Sequence, residues 1–134
     1  MVKDTTILLV DDEPLVSRSM EKTLLRAGFA VDPAGSAKAG LTRFEEALAD
    51  GSGYDLAILD LHMPNLAGEE DPEAGLELLS ALRKRAPGLP VIVLTAFDDV
   101  RRAKEAISRG ARAYFVKGRE LNLIELVESI IESE

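Results

Sequence analysis

The stretch Ala57-Ile58-Leu59-Asp60-Leu61-His62-Met63-Pro64 decides the fold. Its apolar run is of the kind that becomes a fully buried strand, it ends in a carboxylate, and a Met-Pro turn follows at once. An anion at the end of a buried strand is costly unless something nearby neutralises it. Three other runs finish on a polar group in the same way: Ile7-Leu8-Leu9-Val10 before Asp11-Asp12, Val91-Ile92-Val93-Leu94 before Thr95, and Tyr114-Phe115-Val116 before Lys117. In one parallel sheet those groups share a single edge, at the carboxyl ends of the strands, where open α/β sheets bind their ligands.

Between these runs the apolar residues recur at helical spacing. The first strand, about Thr6 to Val10, is followed by Pro14 at a position a first helical turn tolerates, then by Val16, Met20, Thr23, Leu24 and Ala27, with Gly28 as the carboxyl cap. Phe29 to Asp32 reads as a short strand broken by Pro33 and Gly35. Ser36 caps a second helix whose face carries Leu41, Phe44 and Leu48, and which Gly40 weakens by ~1 kcal/mol relative to alanine. Tyr54 to Leu59 is the third strand. Leu76, Leu79, Leu82 and Ala86 line a helix that stops at Pro87-Gly88, and Pro90 opens the fourth strand. Asp98 or Asp99 caps a helix carrying Val100, Ala103 and Ile107. A strand at about Ala113 to Val116 and a helix from about Glu120 to the end, striped by Leu123, Val127, Ile130 and Ile131, complete the chain. The alternation predicts a five-stranded parallel sheet, doubly wound with helices on both faces, in strand order 2-1-3-4-5.

A chain of 134 residues is long enough to bury a core as one domain, and no linker or internal repeat divides it. No apolar stretch reaches the ~18 residues of a membrane span, and no signal-peptide pattern opens the chain. The absence of cysteine removes disulfides and thiolate metal sites and fits a cytoplasmic setting. A net charge of −8 argues against direct nucleic-acid binding, which selects a basic face.

In the expected strand order the first and third strands are neighbours, which brings Asp11, Asp12 and Asp60 together at the switch point. Three close carboxylates repel one another. A hard divalent cation resolves the repulsion, and Mg²⁺ takes one or two carboxylates together with water and a phosphoryl oxygen. Lys117 and the hydroxyl of Thr95 are expected on the other side of Asp60. A carboxylate nucleophile, a metal clamp, an ammonium and a hydroxyl are the parts that phosphoryl transfer needs, because its catalysis is mostly positioning and charge neutralisation.

Leu9-Val10-Asp11-Asp12-Glu13, Asp60-Leu61-His62-Met63-Pro64, Leu94-Thr95-Ala96 and Tyr114-Phe115-Val116-Lys117 resemble, in that order, the motifs of the receiver domain of two-component response regulators. The resemblance implies a flavodoxin-like (βα)5 fold. It implies that Asp60 is the phospho-acceptor, taking a phosphoryl group from a sensor histidine kinase or a histidine phosphotransfer protein to form an acyl phosphate. It implies Mg²⁺ held by Asp12 directly, by Asp11 through water, by Asp60 and by the backbone carbonyl of His62. Lys117 pairs with the acceptor, Thr95 and Tyr114 match the switch pair, and small Ala96 leaves room for the phosphoryl oxygens. The surface of the fourth helix, last strand and last helix is then where a downstream effector or a second copy binds. Two features depart from the family pattern: Gly118 follows Lys117 where proline is usual, and Glu69 to Ala74 is inserted before Gly75-Leu76-Glu77-Leu78-Leu79.

Taken singly, several of these residues have plainer readings. Asp-Asp pairs cap helices, His62 in a loop is an exposed side chain, Tyr114 packs in a strand, and the acidic insert is a solvated loop in which Glu70 or Asp71 caps an extended third helix. The convergence of Asp11, Asp12, Asp60, Thr95 and Lys117 favours a signalling switch over an enzyme with external turnover. A Mg²⁺-dependent phosphatase with an aspartyl nucleophile would want a second aspartate where His62 stands. A non-phosphorylated docking scaffold has no need of the complete set.

Overall fold

The computed structural model describes residues 5–96, 99–118 and 120–133. Five parallel strands form the main sheet: β1 (Thr6–Val10), β2 (Ala30–Ala34), β3 (Leu56–Asp60), β6 (Val91–Thr95) and β7 (Ala113–Val116). A two-stranded hairpin, β4 (Met63–Pro64) and β5 (Glu70–Asp71), interrupts the alternation after β3. The main sheet runs β2-β1-β3-β6-β7, so the expected order and the switch between β1 and β3 are both found.

Alternate residues of the central strands feed two separate cores. Leu8, Val10, Leu59 and Val93 face one side, under α2 (Ala37–Ala49), α3 (Ala74–Arg85) and α4 (Val100–Ser108). Ile7, Leu9, Ile58 and Ile92 face the other, under α1 (Pro14–Arg26) and α5 (Glu120–Glu132). Covering both faces is why β1, β3 and β6 read as continuous apolar runs rather than alternating ones. No described helix is long and apolar enough to cross a membrane.

Local sequence signals place most helix ends. Pro14 occupies the first turn of α1, the Ser36 hydroxyl accepts the Ala39 N–H at 3.1 Å to cap α2, and Gly28 takes φ +100° after α1. Asp99 occupies the cap position of α4, without a side-chain capping bond, and Asp98 lies outside the described residues. Elsewhere tertiary context overrides the local reading. Pro33 does not break β2 but sits inside it, opposite Leu9. β2 is an edge strand, and an edge can spare the missing donor. In α2 the buried face is Ala37, Gly40, Phe44 and Ala47, with Leu48 exposed. In α4 it is Ala103 and Ala106, with Val100 and Ile107 exposed.

The acidic insert is neither a plain solvated loop nor an extension of α3. Asn65 organises it as a hairpin: its Oδ1 accepts the N–H groups of Ala67 and Glu69, and its Nδ2 donates to Asp71 at 3.0 Å. Asp71 Oδ1 accepts the Glu73 N–H at 2.8 Å, and α3 begins only at Ala74. Arg102 of α4 links the end of the insert to the start of its own helix, 3.4 Å from Glu73 and 3.3 Å from Asp99.

Gly40 is a packing device rather than a weak point. A Cβ there would lie 2.8 Å from Val10 Cγ2 and 3.2 Å from Val10 Cγ1. Valine in a buried strand has little rotamer freedom with which to give way. Gly40→Ala is therefore expected to destabilise the protein by about 1 kcal/mol, because overpacking outweighs the gain in helix propensity. A urea midpoint above that of the parent would overturn this.

Candidate functional site

The strand register builds the site. Val10 pairs with Leu59, Asp60 with Leu94, and Thr95 with Val116, so the four polar strand ends align along one edge. Asp60 and Asp11 are buried there, at 4% and 2% exposure. Ligand oxygens of Asp11, Asp12, Glu13 and Asp60 all lie within 4.8 Å of one another. Lys117 crosses from the end of β7, its backbone held by an N–H donated to the Thr95 carbonyl at 3.1 Å. Its Nζ stands 2.8 Å from Asp60 Oδ2, 3.5 Å from Asp11 Oδ2 and 2.6 Å from Glu13 Oε1. The peptide bonds of the described residues are all trans, and Gly118 turns the chain after the lysine at φ +102°.

Burial pushes Asp60 up to about 7, and the charge of Asp11 adds to it, while the hydrogen bond from Lys117 opposes both. Asp11 is likewise raised by burial, against the Glu13 N–H that its Oδ1 accepts at 2.9 Å. For Lys117 burial works against the ammonium, but its hydrogen bonds to Asp60 and Glu13 win and raise it above the ordinary lysine value. The Oδ2 atom of Asp11 is buried without a hydrogen-bond partner. A cluster in which burial opposes the charge of Asp11 and Asp60, and which keeps a buried oxygen without a hydrogen-bond partner, is a site with unspent affinity for a cation. Its all-oxygen donors suit a hard divalent ion.

Four expected residues have side chains outside this cluster. The Thr95 hydroxyl makes no hydrogen bond to Asp60 among the described residues; its single proton is shared between the carbonyls of Ala96, at 3.0 Å, and Asp99, at 3.1 Å. Tyr114 is 41% exposed at the start of the sheet edge strand. Ala96 is exposed in the turn after β6. The His62 side chain is exposed too, 4.0 Å from Glu70 of the hairpin. Glu13 is the member sequence reasoning missed. Its place beside Asp-Asp marks it as a helix-start acid, and only the approach of Lys117 from 104 residues away makes it part of the site.

The sequence profile of the response regulator receiver domain matches residues 7–130. The chain belongs to that family. As a receiver domain it is a module of two-component signalling systems. It is 36% identical over 125 residues to the response regulator protein FleR of Pseudomonas aeruginosa, covering 90% of this chain and 23% of FleR. It is 33% identical over 111 residues to the probable transcriptional regulatory protein SilR of Salmonella typhimurium, covering 83% and 43%. The receiver domain thus spans less than half the length of these curated relatives. Among solved structures, a CheY-like receiver domain protein from Methanospirillum hungatei superposes with a TM-score of 0.83 at 26% identity, covering 98% of this chain and 96% of that one. The response regulator TrrA of Thermotoga maritima, described in complex with Mg²⁺-BeF, superposes at 0.76 with 28% identity, covering 95% and 98%.

Proposed function

We propose that this receiver domain, residues 1–134 acting as one unit in the cytoplasm, accepts a phosphoryl group on Asp60 from a sensor histidine kinase or a histidine phosphotransfer protein. The observation that carries the reading is the buried Asp60 carboxylate, bonded to Lys117 at 2.8 Å within a four-carboxylate cluster at the sheet edge. A carboxylate oxygen of Asp60 forms a bond to phosphorus as the phosphorus–nitrogen bond of the donor phosphohistidine breaks, the electron pair leaving with the imidazole nitrogen. Asp11, Asp12, Asp60 and the His62 carbonyl would hold Mg²⁺, which supplies positive charge to the phosphoryl oxygens during transfer. Lys117 neutralises charge from the other side.

The domain turns over no external metabolite in this reading. The phosphatase alternative gains nothing from His62, whose side chain is exposed and directed to Glu70. The scaffold alternative leaves the buried, repelling carboxylates unexplained. Incubation with acetyl phosphate and Mg²⁺, followed by intact mass, tests all three: one stably added phosphoryl group is expected, and none would sink the phospho-acceptor reading.

The hydrogen bonding of Thr95 supports a switch. Its hydroxyl proton is engaged by the Ala96 and Asp99 carbonyls, so turning it toward a group on Asp60 gives up those contacts at the start of α4. Exposed Val100, Ile107 and Tyr114 supply apolar surface for an effector or a second copy at the α4, β7 and α5 face. A net charge of −8 argues against nucleic acid as a direct partner of this domain. This is a population shift, which requires differential stabilisation of a few kcal/mol. Amide shifts on phosphorylation are expected across residues 95 to 117; shifts confined to the Asp60 loop would contradict the switch.

A further inference from the structure

Lys117 has a carboxylate partner that phosphoryl transfer does not use. Its contact with Glu13, at 2.6 Å, is shorter than its contacts with Asp60, at 2.8 Å, and Asp11, at 3.5 Å. An ammonium offers three donors and no acceptor. Two of them go to Glu13 and Asp60, while Asp11 stands by as an ion pair at 3.5 Å, and the tightest contact is to the carboxylate at the rim: the Glu13 side chain is 56% exposed, against 5% for Asp60. Glu13 also stands at the cap position of α1 without making a side-chain cap bond, so its carboxylate is committed to the lysine rather than to the helix. On the other side, Gly118 at φ +102° leaves the backbone after the lysine without a side chain to brace it. The lysine is thus placed from across the pocket.

We propose that Glu13 is a positioning residue that regulates the site by competing for Lys117. It draws the ammonium toward the pocket rim in the unphosphorylated chain and must surrender it when negative charge builds on a group carried by Asp60. The proposal rests on the phospho-acceptor reading and adds to it a brake specific to the side chain at position 13. Its consequence is a weaker hold of Lys117 on the phosphoryl group than the pocket would otherwise have.

The test is binding of fluoroberyllate, the anion found with Mg²⁺ in the TrrA complex. Fluorine NMR at saturating Mg²⁺ would compare the parent with Glu13→Gln and Glu13→Asp, saturation removing any change in cation affinity. Glu13→Gln abolishes the charge. Glu13→Asp keeps it but withdraws the carboxylate by about 1.5 Å, one carbon–carbon bond, and so loses the contact. Both variants are expected to bind roughly twofold to fivefold more tightly, the span set by a half-exposed ion pair. Parent-like affinity for Glu13→Asp would show that only the charge at the rim matters, and would overturn the proposal. Weaker binding by Glu13→Gln would also overturn it, because Glu13 would then anchor the lysine for the phosphoryl group. If the parent itself takes no fluoroberyllate, the phospho-acceptor reading fails first and the brake with it; failure confined to the variants leaves that reading standing.

Discussion

At pH 8, replacing Asp60 by asparagine is expected to raise the stability of the protein by about 1–3 kcal/mol while abolishing labelling by acetyl phosphate. Burial, reinforced by Asp11, pushes the Asp60 carboxyl up to about 7, against an unfolded value near 4. Between those two values the folded chain holds a proton that the unfolded chain has lost. Stability therefore falls as pH rises from about 4 to about 7, and the full penalty is present above that window. The shift alone sets a ceiling of about 4 kcal/mol at ~1.4 kcal/mol per pH unit. Asparagine recovers less, because it gives up the charge that accepts from Lys117 at 2.8 Å. Lys117 keeps a partner in Glu13, so no buried ammonium is stranded. Thermal or urea unfolding at pH 4.5 and pH 8 checks the sign. The gap between Asp60→Asn and the parent should be small at pH 4.5 and wide at pH 8, and Mg²⁺ should stabilise the parent more than the variant. An equal gap at both values, or a variant less stable at pH 8, would refute this account.

Gly75→Ala is expected to be the more damaging of two conservative changes in this chain, costing about 3 kcal/mol or more and slowing phosphoryl labelling. Gly75 lies in the first turn of α3, and its N–H donates to the Leu61 carbonyl at 2.9 Å. A Cβ at this position would overlap the carbonyl oxygen of Asp60 and come within 2.5 Å of Leu61 Cα. Both are backbone atoms, so no rotamer change relieves the clash. Either α3 backs off the sheet, losing the packing of buried Leu76, Leu78 and Leu79, or the peptide after Asp60 rotates and carries the acceptor with it. Gly35→Ala is the control, since a Cβ there meets nothing within 4 Å. A urea midpoint for Gly75→Ala equal to that of Gly35→Ala would show that the close approach of α3 to β3 is unimportant.

The family and the topology were legible in the sequence because both are written in local, repeated signals. Each apolar run ends in its own polar residue, each helix announces itself by spacing, α1 and α2 also by Pro14 and Ser36 at their starts, and right-handed crossovers leave few ways to arrange five parallel strands. The meeting of Asp11, Asp12, Asp60 and Lys117 follows from that topology alone.

What only the tertiary structure decided are matters of contact between segments distant along the chain. Helical spacing cannot say whether α2 presents Leu48 or Gly40 to the sheet; the close approach of Val10 selects glycine and turns Leu48 out. Pro33 reads as a breaker until β2 is known to be an edge, and the insert reads as a loop until Asn65 and Asp71 close it into a hairpin. The orientation of the Thr95 hydroxyl depends on the carbonyls of Ala96 and Asp99 in the turn after it. Glu13 carries no signal of its own beyond its place after Asp-Asp. It enters the site because a long, flexible ammonium, arriving from the end of β7, finds in it a half-exposed carboxylate within 2.6 Å at the rim of the pocket.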